Sequence, residues 1–324
     1  MNVTEITKFG GSDALASGER EVPEPGDGEV RVEVTAAGLN FADVMQRRGL
    51  YPGIPGTPFV PGMEVAGTVD AVGAGVEGVQ EGDRVAAMLE LGGYAEYAIA
   101  DAELLLPVPD GLSLREAAAV PVQFLTAHCC LFGWGELVAG ERVLVQAAAG
   151  GVGTAAVQLA SEAGAEVFGT ASTAEKLDHA SSYGCDHPIN YEEEDFAAVI
   201  DDETAGEGVD LVLESVGGDV FDRSLESLAH FGRLVTYGVA SGQIATVQNQ
   251  ELLFANQSVR GFHIGFAAEH DIGRVRPAIE EVTDALADGR IEVVIGEEFP
   301  LEEAAAAHEY VEGRQSTGKV LLIP

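Results

Sequence analysis

The chain has 324 residues, more than one hydrophobic core usually organises, which predicts about two domains. Hydrophobic residues make up 46% of it, yet no apolar run approaches the ~20 residues needed to cross a bilayer, and no export signal opens it, so a cytoplasmic globular protein without a membrane span is expected. A formal charge of -37 argues against nucleic acid and anionic lipid as partners, because both require cationic patches.

The acids are dispersed along the chain and only Lys8, Lys176 and Lys319 are lysines, a balance that suits a halophilic protein kept hydrated in very high salt. Cys129, Cys130 and Cys185, an adjacent pair and a distant third, offer no disulfide framework.

Residues 1 to about 122 alternate at period two in Glu29-Val30-Arg31-Val32-Glu33-Val34, Val65-Ala66-Gly67-Thr68-Val69 and Tyr94-Ala95-Glu96-Tyr97-Ala98. Turns such as Tyr51-Pro52-Gly53 separate them, so a mostly antiparallel β domain is predicted. Arg47-Arg48 reads as a solvated pair, since adjacent like charges are costly to bury. His128 and Cys129 follow Thr126 in a stretch that reads as a buried, domain-linking helix and not as a nucleophilic pair.

From about residue 142 the texture changes to continuous apolar strands, Val143 to Ala147, Val167 to Thr170, Val209 to Leu213 and Leu234 to Tyr237, with helical stretches between. That order predicts a parallel α/β sheet covered on both faces. Beyond residue 265 come an amphipathic helix over Pro277 to Leu286 and a final apolar strand, Lys319 to Ile323, expected to rejoin the first domain.

Between the first apolar strand and its helix lies Ala147-Ala148-Ala149-Gly150-Gly151-Val152-Gly153. A dinucleotide pyrophosphate belongs at such a turn: Gly150 admits the phosphates to the backbone, Gly153 lets the helix pack on the strand, and the helix N-terminus supplies free N–H groups. The end of the second strand normally carries an acid for the ribose of NAD, but here it reads Gly169-Thr170-Ala171-Ser172-Thr173-Ala174-Glu175-Lys176. Small and hydroxyl residues with Lys176 suit a 2′-phosphate, so NADPH is the expected cofactor.

These features, with Ala37-Gly38-Leu39-Asn40-Phe41-Ala42-Asp43, Gly49-Leu50-Tyr51-Pro52, Pro61-Gly62-Met63-Glu64-Val65-Ala66-Gly67, Gly92-Gly93-Tyr94-Ala95-Glu96-Tyr97 and Ile189-Asn190-Tyr191, make the chain resemble the zeta-crystallin-like quinone oxidoreductases. These are a zinc-free branch of the medium-chain dehydrogenase/reductase superfamily, and the likeness covers nearly the whole chain. It implies a Rossmann doubly wound parallel sheet at 123–264 and a GroES-like substrate domain at 1–122, completed by 265–324. In zinc-dependent relatives the positions matching Asn40 and Met63 carry cysteine and histidine ligands. Asparagine and thioether are poor zinc ligands, so no metal is expected.

The resemblance further implies that Asn40, Asp43 and Tyr51 line the catalytic cleft between the domains, Asn40 and Tyr51 as donors to a carbonyl oxygen; a helix-capping role for Asp43 stands beside this. The cofactor would touch Thr126, Ala149, Gly150, Gly151, Val152, Gly153, Thr170, Ser172, Lys176, Tyr191, Gly238 and Lys319, the last at the pyrophosphate or ribose. The implied activity is NADPH-dependent reduction of quinones or related conjugated carbonyl compounds. Reduction of an enoyl or alkenal double bond and a non-catalytic dinucleotide-binding scaffold are the alternatives. Relatives commonly form a homodimer through an edge strand like Ser258 to Ile264.

Overall fold

Valine at every second position makes Glu29–Leu39 a strand with one buried face, Val30, Val32 and Val34 inward and Glu33 outward. It lies within a sheet ordered Ile295–Pro300, Lys319–Ile323, Glu29–Leu39, Glu64–Val72, Arg84–Met88 and Leu105–Pro107, with Tyr97–Asp101 also paired to Glu29–Leu39. All pairings here are antiparallel except Ile295–Pro300 with Lys319–Ile323, whose crossover carries the helix Ala304–Glu312. Each buried valine in its core contributes about 1.5–3 kcal/mol.

The computed structural model describes residues 1–324, which separate into two units: Met1–Gln123 with Ile279–Pro324, and Phe124–Ala278. Unit 1 holds the sheet just described. The register at one end of Glu29–Leu39 places the site. Leu39 pairs with Val320 on one side and Ala37 with Val65 on the other, so Lys319 and Glu64 flank the segment Gly38 to Asn40.

Unit 2 is built on six parallel strands in the order His187–Asn190, Glu166–Ala171, Arg142–Val145, Val209–Glu214, Leu228–Thr236 and Ser258–Gly261. Helices Gly151–Glu162, Ala174–Ser182, Phe196–Glu203, Asp219–Glu226 and Asn249–Ala255 follow the first five strands in chain order. The chain starts this sheet in its middle, at Arg142–Val145, and winds outward both ways. This is the Rossmann order, with its switch point between Arg142–Val145 and Val209–Glu214.

The chain returns to unit 1 at Ile279, inside the helix Arg276–Ala287, and not near residue 265. Aromatic contacts account for the difference. Trp134 packs on Phe262 at 4.7 Å between ring centroids, and the Arg274 guanidinium lies 5.8 Å over Trp134. No helix is long and apolar enough to cross a membrane.

Candidate functional site

In unit 2 the strand Arg142–Val145 ends because Ala147 takes φ 56, a left-handed conformation that costs an alanine about 1 kcal/mol. Gly150 then caps the helix Gly151–Glu162. A Cβ on Gly153 would stand 2.1 Å from the Ala147 carbonyl oxygen, so only glycine lets this helix start so close to the strand. The first-turn N–H groups of Gly151, Val152 and Gly153 have no intrahelical acceptor and lie at the carboxyl edge of the sheet, while Ala149 is buried beneath. The glycine cradle therefore fits a pyrophosphate.

Thr170 does not join that surface, correcting its placement among the cofactor ligands. Its side chain is buried; the hydroxyl donates to Gln146 Oε1 at 2.6 Å and accepts the Ala147 N–H at 3.2 Å. Gln146 in turn donates to Ser224 Oγ at 2.9 Å. Thr170 thus braces the turn from inside. Beyond it, Ser172 and Lys176 are half-buried, Thr173 accepts the Lys176 N–H to cap Ala174–Ser182, and the Tyr191 N–H donates to Ala171. Ser172, Lys176 and Tyr191 therefore share one end of the strand Glu166–Ala171.

Two further loops cross the carboxyl edge. Glu214, wholly buried, accepts the Val216 and Gly217 N–H groups at 2.6 and 2.7 Å, and burial raises its carboxyl pKa. A Cβ on Gly238 would meet the Ser215 carbonyl oxygen at 3.0 Å, which seats Gly238 against this turn. Thr126 is buried on the helix Gln123–His128, and His128 and Cys129 are buried with it.

In unit 1, Asn40 leads into the helix Phe41–Arg47, and Asp43 Oδ2 accepts the Asn40 backbone N–H at 2.8 Å, closing the helix start. The capping role of Asp43 is therefore realised. Its carboxyl is wholly buried, and burial pushes its pKa up to about 7 against the opposing pull of the Asn40 N–H and the Lys319 charge. Tyr94 Oη stands 3.3 Å from Asp43 Oδ2 and 3.0 Å from His308 Nε2. Burial holds the Tyr94 hydroxyl well above its usual range and pushes His308 down to about 3, so the imidazole is neutral. Tyr51, half-buried, is raised to about 12 by burial and by the nearby Asp43 charge.

The Asn40 side chain is held at both ends. Lys319 Nζ donates to its Oδ1 at 2.7 Å, and its Nδ2 donates to Glu64 Oε1 at 2.9 Å. Lys319 also ion-pairs with Glu64, and Glu64 Oε2 accepts the Val122 N–H at 2.7 Å. A Cβ on Gly38 would come within 2.5 Å of Glu64 Oε1, so the acid occupies the space that glycine leaves.

Two sequence expectations change here. Lys319 is 3% exposed and neutralised by Glu64, so it serves as an interior charge partner instead of reaching a pyrophosphate. Arg47 is 1% exposed, not solvated: Glu312 ion-pairs with Arg47 at 2.7 Å and with Arg48, and one carboxylate compensates both.

Sequence reading missed Glu64, Tyr94, His308 and Gln146 as functional neighbours. For two of them the signals were an acid opening an apolar strand, Glu64, and a histidine following Ala304 to Ala307, His308. No group of three or more histidine, cysteine or acidic side chains is placed to hold a metal ion.

Residues 26–110 match the family described as alcohol dehydrogenase GroES-like domain, and residues 151–284 match that described as zinc-binding dehydrogenase. A 2-haloacrylate reductase of a Burkholderia species is 39% identical, covering 98% of this chain and 98% of its own. A quinone oxidoreductase of Pseudomonas aeruginosa is 37% identical over 99% of this chain and 98% of its own. The crystal structure of Escherichia coli quinone oxidoreductase complexed with NADPH superposes with a TM-score of 0.94 at 35% identity, covering 100% of both chains. Full-length identity of this order, on this two-unit architecture, assigns the chain to the medium-chain dehydrogenase/reductase superfamily, among its quinone oxidoreductase-like members.

Proposed function

We propose that this protein is an oxidoreductase that uses NADPH to reduce quinones or related conjugated carbonyl compounds, without zinc. The observation that carries this reading is the glycine turn at the sheet's switch point, followed by a second strand whose end holds Ser172 and Lys176 where an acid would select NAD. NADPH supplies the hydride when bound. The Gly151, Val152 and Gly153 N–H groups hold the pyrophosphate with Ala149 and Gly150 beneath. Ser172, Lys176 and Tyr191 hold the 2′-phosphate end, and Thr126 and Gly238 support the remainder.

On unit 1, Asn40 and Tyr51 donate hydrogen bonds to the substrate oxygen as it gains charge, and Asp43 fixes the helix start that presents Asn40. Asn40 and Met63, as amide and thioether, are unsuited to zinc.

Reduction of an activated carbon–carbon double bond is the second reading, favoured by the 39% identity to a 2-haloacrylate reductase. NADPH oxidation with 1,4-benzoquinone, 9,10-phenanthrenequinone, a conjugated enone and 2-chloroacrylate separates the two. Turnover of the quinones is expected; turnover of the acrylate alone supports the second reading, and no turnover with any of them would leave a dinucleotide-binding scaffold.

The protein is further proposed to be a cytoplasmic, halophilic homodimer. Supports are the surplus of acids, the edge position of Ser258–Gly261 in its sheet, and the exposed Leu253 and Phe254 on the neighbouring helix Asn249–Ala255.

A further inference from the structure

Three strands of unit 1 converge on one amide. Asn40 follows the end of Glu29–Leu39, Glu64 opens one neighbouring strand and Lys319 opens the other. An ammonium only donates hydrogen bonds and a carboxylate only accepts them. Lys319 Nζ at 2.7 Å therefore demands the carbonyl end of Asn40, and Glu64 Oε1 at 2.9 Å demands its NH2 end. The amide has one orientation compatible with both partners. One Nδ2 hydrogen goes to Glu64; the other meets only the Gly38 carbonyl oxygen at 3.5 Å, the outer limit of a hydrogen bond. Asn40 is half-buried, and with its carbonyl end taken by Lys319 this weakly engaged N–H is the donor the amide has left to offer.

We propose that Lys319 and Glu64 are positioning residues that lock the Asn40 amide with an N–H donor toward the substrate oxygen. This rests on the proposed reading that Asn40 faces that oxygen. A rotated amide would present its carbonyl oxygen to a developing negative charge and repel it. Donors fixed beforehand stabilise an oxyanion without reorganising during the reaction. The ion pair thus supports turnover at a distance from the reacting atoms.

The test uses the full-length enzyme with NADPH and a quinone it turns over, and compares Asn40→Ala, Lys319→Met, the uncharged pair Lys319→Met/Glu64→Gln, Lys319→Arg, and Lys319→Met in the Asn40→Ala background. Removing one oxyanion donor lowers kcat by about 10²–10³-fold, so Asn40→Ala should fall in that range. Lys319→Met and the uncharged pair should each lose roughly tenfold or more in kcat with little change in either KM, a partial loss of the same donor. Lys319→Arg, another obligate donor, should restore much of it.

Lys319→Met should cost nothing further once Asn40 is alanine, because non-additivity marks residues acting through one another. The uncharged pair removes the penalty of an unpaired buried acid, and its thermal midpoint reports folding separately. If Asn40→Ala keeps its kcat, the placement of Asn40 in the site fails and this inference with it. If Asn40→Ala loses kcat but the Lys319 loss is additive, or appears only as a higher KM for NADPH, the site reading stands and the positioning role is overturned.

Discussion

The Tyr94 hydroxyl lies 3.3 Å from Asp43 Oδ2, with both side chains fully enclosed in unit 1. This contact and the Asn40 N–H do not offset the loss of water around Asp43, and the carboxyl pKa rises from 3.8 to about 7. Because the folded protein binds this proton more tightly than the unfolded chain, stability falls as pH rises from about 4 to about 7 and is flat in this respect outside that window. The difference corresponds to about 4 kcal/mol at most. Asp43→Asn keeps an acceptor for Asn40 and removes the titration. The stability of the variant relative to the parent should therefore improve by a few kcal/mol between pH 4 and 7, by denaturant unfolding. His308, pushed down to about 3, acts in the opposite sense, gaining stability as pH rises toward 6.5, and cancels in that comparison. A pH-independent difference would show that Asp43 is not held this way.

Lys176 distinguishes the two nicotinamide cofactors. Its charge meets a 2′-phosphate and finds nothing equivalent on a plain ribose, so Lys176→Ala should weaken NADPH by about 1.5–3 kcal/mol and leave NADH nearly unchanged. Steady-state kinetics with both cofactors measure this. A parent that prefers NADH, or an equal loss on both, contradicts the assignment. Thr170 is the wrong place for the complementary experiment, because its hydroxyl braces Gln146 and the turn; an acid at half-buried Ser172 should repel the phosphate directly.

Chelation should leave activity unchanged, since Asn40 is bonded to Lys319 and Glu64 and Met63 is a buried thioether. Stoichiometric zinc by elemental analysis, with inactivation on its removal, would reverse this view.

Withdrawal of salt should loosen the fold. With a formal charge of -37, mutual repulsion among carboxylates grows as the screening length lengthens from about 3 Å at 1 M to about 30 Å at 0.01 M. Thermal unfolding in molar KCl and at low ionic strength should give a clearly lower midpoint in the second. Equal midpoints would dissociate the acidic composition from salt adaptation.

The alternation of Val30, Val32 and Val34, the glycine turn and the closing strand Lys319–Ile323 were legible because each is a local pattern with a local cause. The side chains around Asn40 were not. Asn40 meets Lys319 across 279 residues, Arg47 meets Glu312 across 265 and Tyr94 meets His308 across 214. Only the register of the folded sheet and the pairing of two helices make them neighbours. Thr170 was misplaced for another reason: a strand buried on both faces shows no alternation, so nothing in Val167 to Thr170 tells which side chain turns inward.

The divided make-up of unit 1 has a consequence for the order in which the protein matures. Unit 2, with the glycine turn, is complete once Ala278 has been synthesised, whereas the strand that brings Lys319 to Asn40 emerges some forty residues later. A ribosome can therefore present a finished nucleotide fold while residues 1–123 still wait for the last strand of their sheet. C-terminal truncations should behave accordingly: loss of Lys319–Ile323 removes an interior strand of unit 1 and one of the two side chains that hold the Asn40 amide, while every strand of the nucleotide fold remains.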